Sequence, residues 1–105
     1  MTTRNRMRPI HPGEILREEF LVPLDMSGNR LALSLRVPAT RITAILNGER
    51  GLTADTALRL GRFFGTTPDF WMNLQKTFEL RTAEEAIGAT VERDVQPHAR
   101  ARKVG

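Results

Sequence analysis

An arginine among short polar side chains at helical spacing is a set that can read a base edge, and Thr40-Arg41-Ile42-Thr43-Ala44 supplies one. On a helix, Thr40, Arg41, Thr43 and Ala44 share one face while Ile42, Ile45 and Leu46 take the other. The planar fork of Arg41 matches guanine O6 and N7, the alternative being a surface arginine paired with a neighbouring acid, and Thr40, Thr43 and Ala44 can hydrogen-bond or pack against a thymine methyl. Gly28, Asn29 and Arg30 at one helix start, with Asn47 and Arg50 beyond the end of the next helix, are placed for phosphate contact through backbone N–H groups, amides and charge. The chemistry implied is binding of double-stranded DNA, not catalysis.

Other candidate sets fail. Glu14, Glu18 and Glu19 suggest a general acid/base pair, but at helical spacing beside Arg17 they read as a solvated outer face. Serine occurs only at Ser27 and Ser34, neither in a nucleophile motif, and no phosphate-binding glycine loop or acidic magnesium cluster is present. With no cysteine and two distant histidines, His11 and His98, a zinc site is not expected. The reading is therefore no catalytic residue, no metal and no cofactor. No run approaches the roughly 18 to 20 apolar residues of a membrane span, and the first residues lack the apolar centre of a secretory signal, so a cytoplasmic protein is expected.

Charge sharpens the DNA reading. The net +4 is unevenly spread: the tails, residues 1–8 and 88–105, carry +5, the segment from Gly28 to Arg50 carries +3, and the remainder from Pro9 to Ile87 carries −4. A positive patch thus lies on an acidic body. Fourteen arginines against two lysines admit a plainer reading of the tails, as solvated segments with a composition bias.

The elements that must position these residues are all helical, since no stretch alternates over a strand length. A chain of 105 residues, 40% hydrophobic, fits one compact domain with tails. His11-Pro12-Gly13-Glu14 opens a first helix with Ile15, Leu16, Phe20 and Leu21 as its stripe, stopping at Pro23. Ser27 caps a second, which turns Leu31, Ala32 and Leu35 inward; Val37-Pro38 forms the turn, and a third runs from about Ala39 to Asn47, stopped by Asn47-Gly48. Thr53 starts a fourth, whose Ala57, Leu58, Leu60, Phe63 and Phe64 read as core before Gly65. Thr67-Pro68-Asp69 opens a fifth bearing Phe70, Trp71, Leu74 and Phe78, where helical spacing favours core or dimer interface over base stacking. Three segments follow: a basic arm over 1–8, a helix-turn-helix domain with a dimerisation helix over 9–87, and a loose basic tail over 88–105.

HPGE at 11–14, the run RVPATRITAILNGERGLTADTALRL at 36–60 and TTPDFWMNLQ at 66–75 occur in order, and the chain resembles a HigA-type (VapI/HigA-like) antitoxin of the phage-repressor-like (Cro/C1, XRE) helix-turn-helix superfamily over about residues 9–85. The resemblance implies a five-helix all-α domain, a homodimer on a palindromic operator in its own promoter, and neutralisation of a RelE-like toxin of the HigB type, an mRNA endonuclease. It also places residues after Phe70, with Phe70, Trp71, Leu74 and Phe78 as candidates, at the dimer interface. Ala39 and Ala44 are short where many relatives carry polar base-reading side chains, which leaves the operator sequence open. A stand-alone repressor without a toxin, and a protein-interaction module that has the fold but binds no DNA, are the competing readings.

Overall fold

Four of the five described helices start on a side-chain cap, from His11, Ser27, Thr53 and Thr67. The computed structural model describes residues 8–99, and among them there are five helices and no strand. Helix α1 begins over Pro12–Ile15 and continues as a wider π-helical turn over Leu16–Leu21. At its start the His11 side chain accepts a 2.9 Å hydrogen bond from the Gly13 amide through Nδ1. The π turn has a packing reason: bonding five residues apart brings Leu16 and Leu21 towards one face, and both are buried.

Helix α2 spans Gly28–Leu35, α3 Ala39–Leu46, α4 Ala54–Phe64 and α5 Pro68–Asp94. Ser27, Thr53 and Thr67 each accept a backbone N–H from three residues ahead, satisfying one of the donors a helix start leaves unpaired. Gly48 and Gly65 adopt φ of 76° and 78°, the left-handed turns expected after α3 and α4.

The core is Leu16, Leu21, Leu31, Ala32, Leu35, Ile42, Ile45, Leu52, Ala57, Leu60 and Trp71. Leu58 and Phe63, expected in it, instead face outward: α4 turns Thr56, Ala57, Leu60 and Gly61 inward, so its apolar residues at 58 and 63 fall on the far side of the helix. Gly13 allows α1 to sit directly on the end of α3, because a Cβ there would lie 1.9 Å from the Ile45 carbonyl oxygen.

Helix α5 corrects two expectations. Trp71 is no dimer contact; it is wholly buried in the chain's own core, its indole N–H donating to Thr66 Oγ1 at 2.7 Å and its rings 4.9 Å from those of Phe20. The first turns of α5 must cover the seam between α1 and α4, so Leu74 and Phe78 are also half-buried, and Phe70 keeps 37% of its surface exposed. The chain does not loosen at Gly88 either: the helix runs on to Asp94. Its sequence there is rich in good helix formers, Ala83, Glu84, Glu85, Ala86 and Ala89, which offset the roughly 1 kcal/mol that one glycine costs. At 27 residues α5 is about 40 Å long, and it accounts for the extents of 52 × 27 × 25 Å. Of the expected basic arm over 1–8 and tail over 88–105, residues 1–7 and 100–105 lie outside the described residues.

Candidate nucleic-acid interface

The outward face of α3 is held by what lies behind it. Ile42 and Ile45 are fully buried, so Thr40 and Thr43 are exposed and Ala44 is half-exposed beside them. Pro38 precedes the helix and makes no side-chain cap; the first hydrogen bond runs from the Arg41 amide to the Pro38 carbonyl at 3.0 Å. At the far end Arg17 of α1 donates to the Leu46 carbonyl at 2.9 Å, placing a cation at the negative end of the helix dipole.

The turn between α2 and α3 is not made by proline. Arg36 takes φ 62°, with its amide bonded to the Leu33 carbonyl at 3.2 Å and that of Val37 to Ala32 at 3.1 Å. This is a left-handed helix ending on a residue without glycine's freedom, so the sequence carries no signal for it. Gly28 has a steric reason of its own: a Cβ there would stand 3.0 Å from Leu46 Cδ1, where the start of α2 crosses α3. Asn29 and Arg30 are exposed on the first turn of α2.

Asn47 and Arg50 are exposed on the loop that follows α3, and two contacts fix that loop from behind. The Leu52 amide donates to Gln75 Oε1 at 2.8 Å, and Gln75 Nε2 donates to Glu79 at 2.7 Å. The imidazole of His11 lies edge-on to Phe78 at 4.9 Å and also hydrogen-bonds the backbone of Arg50. Burial holds the His11 pKa below the usual imidazole value, against that backbone bond and the charge of Glu14.

Arg41 is the one expected base reader that does not project outward. Its Nη1 donates to Asp55 Oδ1 at 2.9 Å, and the side chain is 26% exposed. Hydrogen bonds from Arg59, then Arg41, hold the Asp55 carboxyl below its usual pKa. Arg8, in the expected basic arm, is likewise engaged, as a fork on Glu14 at 3.0 and 3.1 Å. Sequence reasoning missed Asp55, Arg59 and Gln75; of these, only the i,i+4 spacing of Asp55 and Arg59 was a readable signal.

A further surface lies on α5. Leu80, Ala83, Ile87 and Val91 follow helical spacing along one face of its outer half, and Leu80, Ile87 and Val91 are 59%, 53% and 44% exposed. No described helix is long and apolar enough to cross a membrane. Among the described residues no cluster of His, Asp and Glu could hold a metal ion.

A family model described as helix-turn-helix matches residues 16–71. Virulence-associated protein I of Dichelobacter nodosus is 50% identical over 82 residues, 78% of this chain and 76% of that protein. Among solved structures, an addiction module antidote protein of the HigA family from Coxiella burnetii is 55% identical, with a TM-score of 0.84 over 88% of this chain and all of that one. The Pseudomonas aeruginosa antitoxin HigA, solved with the higBA promoter, is 50% identical, with a TM-score of 0.84 over 86% of this chain and 98% of that one.

Proposed function

The chain belongs to the helix-turn-helix family that includes the HigA antitoxins, and on that premise we propose that it is an autorepressing antitoxin: a homodimer that binds a palindromic operator in its own promoter and neutralises a HigB-type, RelE-like toxin. One observation carries the DNA half. Thr40 and Thr43 stand exposed beside Arg41 on a helix whose opposite side, Ile42 and Ile45, is wholly buried, in a chain half identical to an antitoxin solved with its promoter. In this reading Thr40, Arg41, Thr43 and Ala44 meet base edges, and Gly28, Asn29, Arg30, Asn47 and Arg50 meet phosphates.

The dimer contact falls on the outer half of α5, not on the expected Trp71. Leu80, Ala83, Ile87 and Val91 form an uncovered apolar stripe on a helix that extends past the core, and a second copy of the same stripe is self-complementary under two-fold symmetry. Phe70, Leu74 and Phe78 contribute at most their exposed edges.

Two measurements test the proposal together. Footprinting of the promoter upstream of the gene should protect two half-sites about 34–36 Å apart. Co-expression with the product of the adjacent gene should rescue growth and yield a co-purifying complex. An unprotected promoter counts against the repressor; a toxic neighbour neither rescued nor bound counts against the antitoxin and leaves a stand-alone repressor.

A further inference from the structure

Asp55 is absent from the DNA-facing set, yet it holds the arginine of the base-reading face. Its Oδ1 accepts both from Arg41 Nη1 at 2.9 Å and from Arg59 Nε at 2.7 Å. Arg59 is itself anchored, its Nη1 donating to the carbonyl of Leu35 at the end of α2 at 2.9 Å. The carboxylate also sits in the first turn of α4, where the helix dipole favours negative charge. Asp55 is therefore fixed by α2 and α4 whether or not Arg41 is bound to it.

We propose that Asp55 is a specificity-determining residue that positions Arg41 and reserves it for base edges. The inference rests on the DNA-binding reading above. Arg41 can leave at small cost, because the pair is partly exposed and Asp55 keeps Arg59. What it leaves behind is a carboxylate, 55% exposed, next to the outward face of α3. A phosphate taking Arg41 would lie close to that carboxylate and be repelled by it, whereas O6 and N7 of a guanine, which carry no net charge, would be repelled far less. Asp55 thus penalises the sequence-independent contact that an unrestrained arginine would make, and preserves the specific one.

The test compares binding of operator and random duplex DNA across a salt series, with thermal melting as the control for folding. Asp55→Asn should bind random DNA more tightly, with a salt slope steeper by about one ion, and its operator-to-random ratio should fall by roughly fivefold or more, at a melting temperature close to the parent's. Asp55→Ser, which likewise removes the charge, should behave the same way, and Asp55→Glu, which keeps it, should retain the ratio. An unchanged ratio in Asn and Ser variants that fold, or equal losses on both DNAs, would overturn the proposal and leave Asp55 a structural residue. Failure of the parent protein itself to prefer its promoter over random DNA would instead overturn the DNA-binding reading, and this inference with it.

Discussion

The backbone amide of Leu52 and the side-chain oxygen of Gln75 meet at 2.8 Å inside the protein, 23 residues apart in sequence. That bond ties the loop carrying Asn47 and Arg50 to α5, the helix whose outer half bears the apolar stripe. Gly51 makes it possible, since a Cβ there would stand 2.7 Å from the Gln75 amide.

Replacing Gln75 with Leu keeps the apolar volume but leaves the Leu52 donor buried without a partner, which costs about 1–3 kcal/mol. Chemical denaturation of Gln75→Leu against the parent should show that loss, together with weaker DNA binding as the loop slackens. A loss below about 0.5 kcal/mol would mean that water or another acceptor replaces the amide oxygen.

His11 makes stability depend on pH. Its pKa is depressed by burial in the folded chain, so the unfolded chain takes up the proton first as pH falls. The stabilisation is complete above the unfolded value of about 6.5 and is lost as pH falls through the lower folded value. Protonation also removes the Nδ1 acceptor that caps Gly13. His11→Asn, which keeps a capping side chain without titrating, should lose less stability than the parent between about pH 7 and pH 5. Identical pH profiles would remove His11 from the account.

Ile87→Asp and Trp71→Ala separate association from folding. Ile87 is 53% exposed on the outer stripe, whereas Trp71 is wholly buried. The first should leave the melting transition of the monomer intact while sedimentation shifts from dimer to monomer. The second should cost about 3–5 kcal/mol by leaving a cavity. A dimer that survives Ile87→Asp places the two-fold contact elsewhere.

Arg41→Ala and Arg50→Ala should differ in kind. Loss of a base contact at Arg41 should cost about 1–3 kcal/mol on operator DNA and relax specificity at one position. Loss of a phosphate contact at Arg50 should weaken every sequence alike and reduce the salt slope by about one. Equal effects of the two on operator and random DNA would refute this division.

Much of the arrangement was legible because it is local. Ser27, Thr53 and Thr67 each cap the helix their sequence context announces, and Gly48 and Gly65 each end one, because these bonds and dihedrals involve residues only a few positions apart. The inward faces of α2 and α3 follow from the 3.6-residue period in the same way. The left-handed Arg36 was not legible: its conformation is imposed by the packing of α2 on α3 and has no glycine to mark it.

The amino-acid order by itself determined five helices, a helix-turn-helix over Gly28 to Arg50 and a polar outer face on α3, since periodicity and capping act along the chain. Only the tertiary structure decided which large side chains the core consumes and where charges pair. Trp71 went into the core because α5 must close the seam between α1 and α4, and Arg41 turned to Asp55 because folding brings the starts of α3 and α4 within hydrogen-bonding reach. Both depend on contacts between elements, which a single chain read in order does not contain.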